Sequence, residues 1–157
     1  MRRGIAAASI AALYLLSFNA AAADAPAPRF VSLKTAGANG RHGPGLEHRI
    51  DWIYQRPGLP LEITGESGPW RRVRDPDGAE VWMHAQNLGE RRTVYVTEPV
   101  ALRRAARPVA PVSAHLSPGV IGALTGCEGE WRRVAVRGRV GWVEAGALWG
   151  GGDCAAD

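Results

Sequence analysis

The chain has 157 residues, 46% of them hydrophobic and 22% charged, with nineteen Lys and Arg against fifteen Asp and Glu. That length bounds it to one or two domains. The formal charge of +4 is small and interleaved, with only Lys34 as lysine, which argues against the basic stripe of a nucleic-acid binder.

The N-terminus has the layout of an export signal. Arg2 and Arg3 precede an apolar run, Ile5–Phe18, and Ala21-Ala22-Ala23 offers a small-residue cleavage site. The apolar run falls short of the ~20 residues that span a bilayer. Residues 1–23 are therefore expected to be a cleaved signal peptide, leaving a mature chain from Asp24 with no membrane span, in the periplasm or secreted. Cleavage removes two arginines and no acids, so seventeen basic residues face fifteen acidic ones and the mature balance is +2.

Residues 24–29 read as a Pro/Ala linker. From there no helical periodicity is sustained; short β-branched and aromatic runs alternate with Gly/Pro turns. The spacing predicts a first module over 30–96, with strands at Arg49–Gln55, Leu59–Thr64, Trp70–Arg74, Val81–His84 and Thr93–Val96. Asp75-Pro76-Asp77-Gly78 predicts a hairpin turn, with Pro pre-setting φ and Gly taking a positive one. A second module is expected over 99–150, with strands at Val100–Arg103, Val112–Leu116, Val120–Thr125, Trp131–Val136 and Gly141–Val143, followed by a tail at 151–157. Ala85–Leu88 and Ala145–Leu148 are each long enough for one helical turn only. The fold class is all-β, a tandem of two small barrels.

The two modules share sequence. Pro57–Val73 aligns without a gap on Pro118–Val134 at an offset of 61, with nine of seventeen positions identical: Pro57, Gly58, Thr64, Gly65, Gly68, Trp70, Arg71, Arg72 and Val73. After a one-residue gap the match resumes with Trp82 over Trp142, Ala85 over Ala145 and Leu88 over Leu148. A period near 60 residues suits a small domain used twice rather than a solenoid.

Cys127 and Cys154 are the only cysteines, and in an oxidising compartment a disulfide between them is the default reading. A buried free Cys127 and an unpaired Cys154 in a loose tail stand as alternatives. The four histidines, His42, His48, His84 and His115, show no metal-ligand spacing, and no nucleophile, acid and base converge. No cofactor, metal or catalytic residue is expected.

Asn39-Gly40-Arg41-His42-Gly43-Pro44 reads N-x-R-x-G-P, and is followed by Pro57-Gly58, Trp70-Arg71-Arg72-Val73 and Trp82. That order resembles the bacterial SH3 (SH3b) domain family, and exported two-module proteins of that family resemble residues 29–150. The resemblance implies an SH3-like β-barrel that is non-catalytic and acts near the cell wall. Two departures stand out: Val81 occupies a position where the family and the second module, at Gly141, have glycine, and the second module has Arg107–Pro111 in place of a G-P loop.

Trp70 and Trp131 read as framework residues. The candidate ligand-binding residues are Trp52, Tyr54, Trp82, Arg41 and Arg72. Trp52 and Tyr54 share a strand face, and aromatic platforms flanked by Arg suit glycans or extended peptides; a buried core position for Trp52 stands beside that reading. The leading function is an SH3-like binding protein for peptidoglycan or a cell-wall-associated protein. The alternative is a structural or scaffolding protein that binds an extended peptide of an envelope protein. The sequence leaves the ligand, the binding module and the oligomeric state open.

Overall fold

The computed structural model describes residues 29–152. The expected signal peptide, most of the linker and Cys154 lie outside the described residues.

Among the described residues, fourteen strands form two antiparallel sheets. The first contains β1 (Arg29–Leu33), β2 (Ala38–Arg41), β3 (Ile50–Tyr54), β4 (Pro60–Ser67), β5 (Trp70–Arg74), β6 (Glu80–His84) and β7 (Leu88–Gly89). The second contains β8 (Thr93–Val96), β9 (Val100–Arg103), β10 (Val112–Leu116), β11 (Ile121–Glu128), β12 (Trp131–Val136), β13 (Arg139–Glu144) and β14 (Leu148–Trp149). The hydrogen-bonded orders are β3-β2-β6-β5-β4-β1-β7 and β10-β9-β13-β12-β11-β8-β14, the same path taken twice. Single turns of 3-10 helix at Ala85–Asn87 and Ala145–Ala147 occupy the two short segments read as one helical turn.

One expected assignment shifts. Thr93–Val96, placed by its sequence in the first module, pairs with β11 and β14 and so opens the second sheet. The role expected of it is filled by β1, which pairs with β4 and β7 in the same manner. The exchange is physical: a strand that follows β7 has no free edge of β4 left to join.

Most of the repeated residues have structural work. Pro57-Gly58 and Pro118-Gly119 form reverse turns in which Leu59 N–H donates to the Arg56 carbonyl and Val120 N–H to the Ser117 carbonyl. Gly58 and Gly119 take φ of 81° and 88°, which a Pro-Gly type II turn requires. In the next hairpin the register slips by one residue between Ile63 and Gly65, and again between Leu124 and Gly126. Thr64 and Thr125 sit in those bulges, and the Thr125 hydroxyl donates to the Arg133 carbonyl at 3.1 Å. In the first module Arg72 reaches back from the other strand, donating from Nε to Thr64 Oγ1 (3.1 Å) and from Nη2 to its carbonyl (3.2 Å). The tip is a two-residue turn with Gly68 or Gly129 at φ of 53° or 52°, the geometry that suits hairpins. Arg71 Nη1 donates to the carbonyls of Gly68 (2.8 Å) and Trp70 (3.0 Å), and Arg132 Nη1 does the same to Gly129 (2.7 Å) and Trp131 (3.1 Å). Val73 and Val134 are fully buried in their respective cores.

The departure at Val81 has a packing reason. A Cβ on Gly40 would lie 2.7 Å from Val81, and one on Gly141 would lie 2.7 Å from Leu102 and from the Arg103 carbonyl. In the first sheet β2 supplies the small residue and β6 the large one; in the second sheet β9 supplies the large residue and β13 the small one. The space is filled either way.

The cores meet at a seam. Tyr95 and Ile121 of the second module pack against the buried cluster of the first. Phe30 and Trp149 meet edge to face with centroids 5.5 Å apart. Arg56 lies over the Tyr95 ring at 5.7 Å and donates to the Gly119 carbonyl.

Tyr54 lies in the first core and donates its hydroxyl to Asp75 Oδ2 at 3.0 Å. Asp75 Oδ1 accepts from the N–H groups of Asp77 (3.0 Å) and Ala79 (2.9 Å), so one buried carboxylate shapes the whole β5–β6 turn. Burial, and then the Asp75 charge, hold the Tyr54 phenol well above the ordinary tyrosine value. A folded pKa above the unfolded value of about 10 gives stability that is complete below that pH and lost as pH climbs past it. Tyr54→Phe is expected to cost about 1–3 kcal/mol at neutral pH. Thermal melts from pH 8 to about 11 should show a shallower alkaline decline in the variant than in the wild type.

Candidate functional site

A cleft that concentrates polar side chains lies on the first module, with a volume of about 710 Å³. It is lined by Asn39 and Arg41 from β2, by Gly45, Leu46 and Glu47 from the β2–β3 loop, by Trp70 from β5, and by His84, Gln86 and Asn87 around the 3-10 turn. Asn39 and Arg41 reach it together because residues two apart share a strand face.

Arg41 builds one wall. Its Nη1 donates to the carbonyls of Leu46 (3.1 Å) and His48 (2.7 Å), which folds the G-P loop back over the sheet and leaves Leu46 77% exposed on the rim. His42 N–H donates to the Arg49 carbonyl at 3.1 Å and closes the base of that loop. No carboxylate pairs with Arg41 among the described residues, so its positive charge stays available to the cleft.

Trp70 makes the floor. Its backbone pairs with His84, and the two rings meet edge to face at 5.4 Å. Trp70 is 8% exposed yet does not belong to the apolar core cluster. Its register puts it on the face with Arg72 and Arg74, opposite to Val73. His84 Nδ1 accepts from Gln86 N–H at 3.3 Å, capping the 3-10 turn, so the neutral ring carries its proton on Nε2. Three primary amides, an imidazole, a guanidinium and the Glu47 carboxylate thus surround an indole. That set donates and accepts hydrogen bonds in several directions, as recognition of peptide bonds or acetamido groups requires.

Of the five residues singled out from sequence, Arg41 lines this cleft. Arg72, Trp82 and Arg41 form a row across β5, β6 and β2, Trp82 lying in register with both arginines. The same row recurs in the second sheet as Arg133, Trp142 and Arg103. Trp52 and Tyr54 do share a face, but it is the face opposite to Trp82: Trp52 is opposite Gly40, whose missing Cβ points toward Tyr54 and Val81. Tyr54 is buried, whereas Trp52 projects past the end of the core and is 58% exposed. Sequence reasoning missed Asn39, His84, Gln86 and Asn87. Asn39 was within reach as the first residue of N-x-R-x-G-P; His84 ends the expected strand Val81–His84, and Gln86 and Asn87 lie in the segment read only as a helical turn.

The second module keeps the frame and loses the lining. Arg103 Nη1 donates to the Ala110 carbonyl at 3.0 Å, seven residues on, just as Arg41 does to His48. The β9–β10 loop is thus held by the same clamp without a G-P sequence. Yet Ala101 stands for Asn39, Glu144 for His84, Gly146 for Gln86 and Ala147 for Asn87. Among the described residues no His, Cys, Asp or Glu cluster is arranged to hold a metal, and no helix is long and apolar enough to cross a membrane.

Comparison with known families matches the bacterial SH3 domain at residues 34–90 and again at 96–150. The chain belongs to the bacterial SH3 domain family and carries that domain twice. A comparison with curated proteins returns no match. Among solved structures it is similar to NlpC2 from Trichomonas vaginalis, at 16% identity and a TM-score of 0.36, covering 78% of this chain and 48% of that one. It is similar also to NlpC1 from the same organism, at 14% identity and a TM-score of 0.36, covering 82% and 48%. The chain spans about half the length of these neighbours, and likeness at that level carries no argument about activity.

The two framework tryptophans differ in burial, Trp131 being only partly covered. Trp70→Ala is expected to lower the stability of the first module by about 3–5 kcal/mol, and Trp131→Ala to cost the second distinctly less. Chemical denaturation of the two variants, followed by tryptophan fluorescence, measures the difference.

Proposed function

We propose that the protein is an exported, non-catalytic binding protein whose first module recognises peptidoglycan or a cell-wall-associated protein through the cleft over Trp70. One observation carries this reading: the framework residues repeat in both modules, while Asn39, His84, Gln86 and Asn87 occur in the first alone. A lining kept for stability would be needed in both copies. The amides of Asn39, Gln86 and Asn87 each offer donors and an acceptor, and the unpaired charge of Arg41 suits a carboxylate nearby. Cell-wall peptide, rich in amides and free carboxylates, offers both partners. Location in the periplasm or outside the cell is part of the same proposal and rests on the signal-like residues 1–23.

Replacing the lining by that of the second module tests the cleft without asking the fold to do anything new. The triple variant Asn39→Ala, Gln86→Gly, Asn87→Ala is expected to melt within a few degrees of wild type and to lose at least about tenfold in co-sedimentation with purified sacculi, the loss of several hydrogen bonds. Undiminished sedimentation would reject the cleft. Wild-type protein that ignores sacculi but is retained by envelope proteins favours the scaffolding alternative, in which an extended envelope peptide fills the same cleft.

The export proposal includes a disulfide between Cys127 and Cys154. Cys127 is not a free cysteine, and Arg132 Nε donates to the Gly151 carbonyl, which brings the start of the tail back to β12. Thiol titration of the unreduced mature protein should find close to zero thiols; two would reject the bridge.

A further inference from the structure

A second cleft, about 670 Å³, opens at the seam between the modules and is lined by Gln55, Arg56, Pro57, Pro118, Ile121 and Arg137, with Gly119 and Val120. We propose that it is a binding site for the carboxylate of an extended peptide, separate from the cleft over Trp70 and independent of that reading.

Three observations lead there. First, two guanidinium groups line one cleft, and neither has a carboxylate partner among the described residues. The nearby acids, Asp75 and Asp77, line a smaller adjoining hollow that shares Gln55 and Arg56 with this cleft, and neither is ion-paired with Arg56. Second, Arg56 is held in place by its hydrogen bond to the Gly119 carbonyl and by the Tyr95 ring beneath it, so its charge is positioned without being neutralised. Third, Arg137 is kept where an arginine is disfavoured. Arg137-Gly138 joins β12 to β13 as a two-residue turn with φ of 46° and 79°, and the first position of such a turn favours Asn, Asp or Gly. A left-handed conformation crowds the Cβ of any residue but glycine against the backbone, and strain of that kind concentrates at functional positions.

The walls choose among anions. Pro57, Pro118, Val120 and Ile121 give the cleft apolar sides, which suit methyl-bearing peptide residues and not a heavily hydrated phosphate. Gln55 adds an amide that can pair with a peptide bond. Planar guanidinium groups match a carboxylate in a two-pronged arrangement.

The test uses acetyl-Ala-Ala-Ala with a free C-terminal carboxylate, its C-terminal amide, and inorganic phosphate, each titrated into the whole mature protein and followed by amide chemical shifts. The free acid is expected to shift Gln55, Arg56, Gly119 and Gly138, and the amide to bind at least about tenfold more weakly, the loss of a charge-assisted pair. Arg137→Gly should melt no lower than wild type, because glycine relieves the strained turn, yet bind the acid at least about tenfold more weakly. The triple variant of the Trp70 cleft should bind it unchanged, which keeps the two sites distinguishable. Equal binding of acid and amide, full binding by Arg137→Gly, or no binding by wild type would each overturn the proposal. Phosphate binding as tightly as the peptide would overturn the carboxylate assignment.

Discussion

The bulged hairpin formed by β4 and β5, and again by β11 and β12, is the constraint on which the rest of the structure depends. A bulge adds a residue to one strand, bends it and increases its twist. Here the added position is pinned by Thr64 or Thr125, while Arg71 or Arg132 folds back onto the turn it follows. The consequence is register. Val73 points into the core, and Trp70, three residues earlier, points to the other face. A slip of one residue would exchange those faces, exposing the valine and driving the indole and Arg72 inward. The floor of the cleft and the floor of the core are therefore set by the same few hydrogen bonds.

The second constraint is size. A module of about 60 residues buries too small a fraction of its surface to be secure alone. The seam answers this by extending the first core with Tyr95 and Ile121. A Pro-Gly turn serves there as well as in the fold of its module: Gly119 presents its carbonyl to Arg56. A glycine repeated for a local reason in both copies thus also serves at the seam, where the second module extends the core of the first.

Much of the frame was legible because its signals are local. Turn residues, the short apolar runs and a self-match with nine identities are properties of contiguous sequence, and the strands at β5, β8, β9, β10 and β12 fall where those signals put them. The strands that escaped notice are β1, which begins at Arg29 at the end of the segment read as a linker, and the short β2, β7 and β14. Ala38–Arg41 contains no β-branched or aromatic residue; only pairing with β3 and β6 makes it a strand. The same limit hid the cleft. Asn39, Trp70 and His84 are far apart in sequence, and their meeting depends on sheet order. Trp52 and Tyr54 were rightly placed on one face of a strand, but parity does not say how far the core extends along that face. Tyr54 lies under it and Trp52 beyond it.

The self-match itself explains why the site was hard to see. Identity between copies marks what both must do, and both must fold. Binding, if one copy carries it, appears where the copies differ. Arg41 and Arg103 hold equivalent loops, so the arginine that looked functional is in part framework, whereas Asn39, Gln86 and Asn87, which have no counterpart in the repeat, are free of that duty. Arg137 follows the same logic in the other copy: its turn replaces the Asp75 loop of the first module, and it brings a cation to the seam at the expense of a relaxed backbone. Asn39, Gln86 and Asn87 in the first module and Arg137 in the second all stand where the copies differ, and all line a cleft.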